Sequence, residues 1–279
     1  MINVNKYTNN IINHVKMENG VEYLEFNVLN KYKDKLMHKI TLRHAGESKD
    51  NFESLNFKQG NGDEDINIYN NYLKIGLGDK VYKARQNHTD NVLVLNNENK
   101  YKYIMWDKSN EEYDAYITNT PDINILVTTA DCIPVILYDT IQNVVAVIHS
   151  GWKGTLKEIV PKTLNKMISN FNTNPSNVLA MFGPSIMPCC FTTQDIQFVN
   201  QFKDICELET EYYTKIDDAY HIDLEKLIKL KLIKMGINPK NIYSANICTK
   251  CNNKDFFSYR ASSNKLKYGT FATVVGLKS

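Results

Sequence analysis

Short apolar runs recur along the chain at Tyr23–Leu29, Lys39–Arg43, Asn91–Leu95, Ile123–Thr128, Ile133–Tyr138, Val144–Ile148, Val178–Phe182, Ile242–Ile247 and Thr270–Val275. They are rich in β-branched and aromatic residues and bounded by Asn, Asp and Gly, which predicts strands. A different period appears at Leu156, Ile159, Val160, Leu164, Met167 and Ile168, and again at Leu224, Leu227, Ile228, Leu232 and Met235. A spacing of three or four predicts one helix in each stretch. Thr155-Leu156-Lys157-Glu158 reads as a capping box opening the first, whereas Asp223 opens the second and Gly236, with Pro239 beyond, closes it. The two patterns alternate instead of segregating, so the expected fold class is mixed α/β in a single domain over residues 1–279. Residues 44–66 are polar and glycine-rich and predict a long loop, which in a folded domain usually serves function.

Two reactive side chains interrupt these apolar runs. Cys132 sits between Ile125–Ala130 and Ile133–Tyr138, and His149 ends Val144–Ile148 ahead of Ser-Gly-Trp-Lys-Gly. A third, His88, stands just before Asn91–Leu95. Catalytic zinc commonly takes three protein donors from His, Cys and carboxylate and leaves one position open. His88, Cys132 and His149 supply such a set, each near the end of a strand-like run, where several strands deliver side chains to one rim. Pro134 cannot donate to a ladder and predicts an edge or bulge beside Cys132. Each residue also has a plainer reading, with Cys132 as a small core residue, His149 bonding a loop and His88 in a turn. Gly151 and Gly154 permit a sharp turn, and a helix starting at Thr155 would aim its positive end at His149, favouring an anion nearby. Trp152 reads as packing or as a wall.

Composition narrows the partners. A net charge of +2, from 33 basic and 31 acidic residues, gives no ground for a nucleic-acid or membrane partner. The Lys102–Lys108 and Lys226–Lys234 clusters read as solvated faces. The chain has no run of about 18 apolar residues, and Met-Ile-Asn-Val-Asn-Lys lacks a signal-peptide stretch, so a cytoplasmic enzyme is expected. Six cysteines without framework spacing suit a reducing compartment. Cys248-Thr-Lys-Cys251 is a Cys-x-x-Cys without a second pair of that kind, which argues against a structural zinc site. Cys189 and Cys190 are expected to line or underlie the site, Cys206 to sit in the core, and His14, His38 and His221 to be structural or exposed.

Several motifs in order carry a resemblance. They are Leu42-Arg-His-Ala-Gly-Glu-Ser48, Ser54-Leu-Asn56, Gln86-Asn-His88, Thr129-Ala-Asp-Cys-Ile-Pro-Val135, His149-Ser-Gly-Trp-Lys-Gly154, Gly183 to Cys190, and Cys248 to Arg260. This set resembles the laccase-domain family, also called polyphenol oxidase or purine nucleoside phosphorylase family proteins, from about residue 40 onward. The resemblance implies a layered α/β/β/α fold with mixed sheets and a zinc site at His88, Cys132 and His149, which are also the implied catalytic residues. It implies phosphorolysis of adenosine, inosine and methylthioadenosine to base and ribose 1-phosphate, with adenosine deamination beside it. Copper-dependent phenol oxidation is an older attribution. The implied partners are a purine nucleoside and phosphate, in a monomer or weak homodimer. Arg43, Lys153, Arg260 and the helix start at Thr155 are candidate anion binders, and His44, Asn56, Gln86 and Asp131 complete the candidate substrate residues.

Chemistry weighs these activities. A zinc-bound water with its pKa lowered to about 7 suits attack at C6 of adenine, although the usual His-x-Glu and Pro-Cys-x-x-Cys deaminase signature is absent. Multicopper chemistry fits poorly with six histidines and no His-x-His pair, although copper binds N/S sites tightly. Against the family pattern, Thr89 replaces Gly, Lys153 replaces Arg and Ala261 replaces a second Arg. Lysine keeps the charge but loses the bidentate fork, which puts substrate preference in question. Two other classes stay open, a metal-free Cys132–His149 hydrolase of the kind proposed for peptidoglycan precursor editing, and a non-catalytic metal-binding adaptor.

Overall fold

The computed structural model describes residues 6–77, 81–103, 111–206 and 212–279. The side chain of Cys206 and most of the Lys102–Lys108 cluster lie outside the described residues.

The apolar runs form two six-stranded sheets. One contains, in spatial order, Ile12–Lys16, Glu22–Phe26, Leu36–Thr41, Phe271–Leu277, Asn124–Thr129 and Val81–Tyr82. The other runs Ile242–Ser244, Val178–Phe182, Ile133–Asp139, Val144–Ser150, Ala115–Thr118 and Val92–Val94. Successive residues of a strand face opposite sides, and both sides of the central strands Ile133–Asp139, Val144–Ser150, Val178–Phe182 and Phe271–Leu277 are covered. Ile136, Tyr138, Val145 and Val147 meet Ile125, Val127 and Val275 in a core between the sheets. Val135, Leu137, Ala146 and Ile148 face outward onto helices Ile159–Phe171 and Leu224–Lys234. On the far side Leu126, Ala272 and Val274 pack on Ile68 and Tyr72 of helix Asp65–Lys74. The layers are therefore helix, sheet, sheet, helices, the architecture that the resemblance implied. Two-sided burial explains why these central strands read as unbroken apolar runs, whereas Ile12–Lys16, Glu22–Phe26 and Leu36–Thr41 alternate. Among the described residues no helix is long and apolar enough to cross a membrane.

Three expectations are corrected. The first helix does not start at a Thr155 cap. Trp152–Leu156 forms a five-residue helix, Glu158 takes a left-handed conformation (φ 57°), and the long helix begins at Ile159. Thr155 Oγ1 instead donates back to the Gly151 carbonyl at 3.0 Å, and the amides of Thr155, Lys157 and Glu158 are already bonded within this turn. Thr155 therefore lies inside a helical turn, and its amide is not a free helix-start donor. Pro134 lies in a central strand, tolerated because the ladder with Val178–Phe182 ends at the Val135–Phe182 pair, and Gly183 then donates to the Pro134 carbonyl. The loop expected over residues 44–66 ends at helix Asp65–Lys74, which its Asn-rich face concealed. By contrast, the second helix follows its signals, with Asp223 accepting from the Lys226 amide and Gly236 at φ 100°.

Candidate metal centre

The hairpin that carries Cys132 and His149 sets the site. Cys132 precedes strand Ile133–Asp139, His149 lies at the end of Val144–Ser150, and the register places Pro134 opposite His149. His88 reaches the same point from a tight turn in which it adopts a left-handed φ of 55°. One donor atom from each of His88, Cys132 and His149 falls within 4.8 Å of the other two.

Asp114, which no motif singles out, organises the arrangement. Its carboxylate is fully buried at the start of strand Ala115–Thr118. It accepts the amides of Asn87, His88 and Thr89 at 3.2, 3.1 and 2.6 Å, the Thr89 hydroxyl at 2.7 Å, and a contact from His149 Nδ1 at 2.7 Å. The turn that presents His88 is thus wrapped around the group that orients His149. Burial alone would raise the Asp114 carboxyl, but His149 and Thr89 hold it below the ordinary value. A buried charge is tolerated when it is hydrogen-bonded this fully.

The donor set fits a soft or borderline divalent cation. With Nδ1 engaged by Asp114, His149 has only Nε2 left to ligate. His88 Nδ1 is buried and has no hydrogen-bond partner. Burial, then the charge of His149, pushes the His88 pKa down to about 4, so its ring is neutral near pH 7. Burial also opposes charge on His149, but the Cys132 sulfur and Asp114 outweigh it and lift that pKa to about 10. The space between the donors exists because position 151 has no side chain. A Cβ there would fall 2.7 Å from Cys132 Sγ and 3.0 Å from His88 Nδ1. Two imidazoles and a thiolate around such a gap match the ligand preferences of zinc.

The trio opens on a cleft of about 690 Å³, within the usual range of small-molecule sites at about 300–1,000 Å³. Its walls include Lys58, Lys83, Arg85, Gln86 and Tyr268. Burial pushes both lysines down to about 8, and Lys58 Nζ sits 3.4 Å from the Tyr268 ring centroid. Neither lysine was chosen from the sequence; Lys58 stands two residues beyond the matched Ser54-Leu-Asn56 motif, and only the fold shows that both line the cleft of the donors.

Of the residues chosen as substrate candidates, only Gln86 lines the cleft, and its amide is spent on the backbone of Thr128. Asn56 is fully buried beneath it, accepting from the amides of Lys58 and Thr270, both wall residues. Arg43 donates to the carbonyls of Glu53 and Asn253 and packs on Phe257. His44 pairs with Asp255 at 3.0 Å. Asp131 accepts from the Thr249 hydroxyl and the Arg260 amide, while the Arg260 guanidinium bonds the Cys190 carbonyl. Lys153 is exposed on the short helix, close enough for its charge to act on His88. The cations that line the cleft are thus Lys58, Lys83 and Arg85, and Arg43, Lys153 and Arg260 lie outside its lining.

Residues 37–278 match the family described as multi-copper polyphenol oxidoreductase laccase. The chain belongs to this family. A purine nucleoside phosphorylase of Clostridium acetobutylicum is 35% identical over 210 residues, 74% of this chain and 81% of that protein. The human purine nucleoside phosphorylase LACC1 is 28% identical over 204 residues, 72% of this chain, so that this chain spans 44% of the human relative's length. One further member of the family carries the name adenosine deaminase. The crystal structure of a Bacillus licheniformis protein described as hypothetical protein YfiH superposes with a TM-score of 0.83 at 25% identity, covering 92% of this chain and 96% of that one. Family membership and fold thus agree with the motif reading.

Proposed function

We propose that this chain is a metal-dependent purine nucleoside enzyme that cleaves adenosine, inosine and methylthioadenosine with phosphate and also deaminates adenosine. The observation that carries this reading is the unpartnered His88 Nδ1 facing Cys132 and His149 on the floor of a cleft with a buried lysine, Lys83, and a half-buried one, Lys58, in its wall. The relatives' names supply the substrate class.

His88, Cys132 and His149 would hold the cation, with zinc favoured by the donor set. Bound there, the metal supplies Lewis acidity and an acidified water. The chain's own residues do the rest. Asp114 fixes the His149 ring with Nε2 facing the cleft. Lys58 and Lys83, with pKa values near 8, stay largely protonated at neutral pH and present cations to phosphate. Tyr268 offers an aromatic face beside them for a purine.

A metal-free thiol hydrolase has one observation in its favour: Cys132, His149 and Asp114 form a chain of nucleophile, base and orienting acid. That reading leaves His88 Nδ1 without a task. A multicopper reading has too few donors, since His14, His38, His44 and His221 are engaged with Glu22, the Phe26 amide, Asp255 and the Pro188 carbonyl.

The test is to incubate adenosine with phosphate and separate the products. Adenine with ribose 1-phosphate, or inosine with ammonia, is expected from the parent chain and neither from Cys132→Ala or His149→Ala. Undiminished turnover by either variant would refute the reading, as would activity that survives chelators and dies with a thiol reagent.

A further inference from the structure

Away from the cleft, four cysteines meet at a second point. Strands Val178–Phe182 and Ile242–Ser244 run parallel, with Phe182 opposite Ser244, and an isolated bridge pairs Ser185 with Cys248. This pairing carries two cysteine pairs, distant in sequence, out of the sheet side by side. One donor atom from each of Cys189, Cys190, Cys248 and Cys251 lies within 4.8 Å of the others. Cys251 Sγ is 3.5 Å from Cys190 Sγ and 3.8 Å from Cys189 Sγ. These separations far exceed a disulfide bond of about 2.05 Å. They match a tetrahedron of sulfurs around zinc, where Zn–S bonds of about 2.3 Å give edges of about 3.8 Å.

We propose that Cys189, Cys190, Cys248 and Cys251 bind a second metal ion, a zinc-class thiophilic cation held by four thiolates. Binding replaces thiol protons, which pass to solvent, and involves no oxidation. A four-sulfur shell has no open position, so the site is structural. None of the four cysteines lines the cleft. The chain has no second Cys-x-x-Cys to match Cys248–Cys251, and in this site the adjacent Cys189 and Cys190 take that place.

The site clamps the segments that hold the backbone beside Cys132. Asp131 accepts from the Thr249 hydroxyl at 2.7 Å and the Arg260 amide at 2.6 Å, and its carbonyl accepts from the Ile186 amide at 2.8 Å. Thr249 lies between Cys248 and Cys251, and Ile186 lies just ahead of Cys189. Arg260, bonded to the Cys190 carbonyl at 3.2 Å, stands where it offsets the negative charge of four thiolates.

Metal content per chain tests this, measured by plasma mass spectrometry on protein purified under reducing conditions with zinc present. The parent chain should carry one ion more than Cys189→Ser/Cys251→Ser, and also one more than Cys251→Ala alone, a change at an exposed position. Cobalt-loaded parent protein should show the intense sulfur-to-metal absorption of a four-thiolate site, which His149→Ala retains and which in these variants falls to the weaker band of a single thiolate, Cys132. Equal metal content in parent and cysteine variants would overturn the proposal, as would disulfides among the four in the intact mass of protein purified without reductant. The two clusters share no residue, so an ion lost from His149→Ala while the cysteine variants keep the parent's full metal content would overturn this site and leave the cleft reading standing.

Discussion

His149 Nδ1 lies 2.7 Å from Asp114 Oδ1, and the same carboxylate accepts three successive amides of the turn that presents His88. One buried acid thus aligns two metal-ligand candidates from different parts of the chain. Asp114→Asn keeps the shape but turns acceptors into a donor against those amides. It should weaken zinc binding about 10–100-fold, the usual effect of removing a group that orients a ligand. Competition with a chromogenic chelator measures it, and unchanged affinity would show that Asp114 serves the fold alone.

Gly151→Ala should eject the metal while leaving the fold. The new Cβ would lie 2.7 Å from Cys132 Sγ and 3.0 Å from His88 Nδ1, inside the space between the donors. Metal content should drop by one ion per chain with circular dichroism unchanged, and activity should be lost with the metal. Full occupancy would place the cation elsewhere.

Lys58→Gln and Lys83→Met should each raise KM for phosphate by about tenfold or more, with a smaller change in kcat, the pattern of lost ground-state binding. Lys83→Met should not destabilise the protein, because burial already holds this amine down to about 8 and a methionine stem replaces it without the desolvation cost. Initial rates over a phosphate series decide the matter; an unaltered KM in both variants would remove these lysines from the anion site.

Acid sensitivity should trace in part to His38. Its buried Nε2 accepts the Phe26 amide at 2.7 Å, and burial pushes its pKa from 6.5 to about 4. The folded chain therefore keeps this ring neutral while the unfolded chain takes up a proton below 6.5. Stability is fully present above that value and falls as pH drops toward about 4, by about 3 kcal/mol at most. His38→Gln retains an acceptor without the titration, so urea midpoints for this variant should fall less steeply across the same window. Parallel slopes would assign the loss to other groups.

The strands and the donor trio were legible for one reason. In sheets covered on both faces, Ile133–Asp139 and Val144–Ser150 are wholly buried, so reactive residues at their ends stand out against apolar neighbours. Asp114 was not legible, since an acid in a run of Glu, Glu and Tyr looks solvated until the fold brings His149 alongside. The break at Glu158 was hidden because a left-handed glutamate leaves no sequence mark, and a false capping box occupied the same residues. Lys58, Lys83 and the gathering of four cysteines depend on strand order and register, which local spacing does not encode.

The most direct measurement is anomalous scattering at the zinc edge from crystals grown with zinc. The account predicts a peak about 2.0–2.3 Å from His88 Nδ1, Cys132 Sγ and His149 Nε2 together, with its fourth side open to the cleft. Crystals that bind zinc but show no peak among those three donors would contradict it.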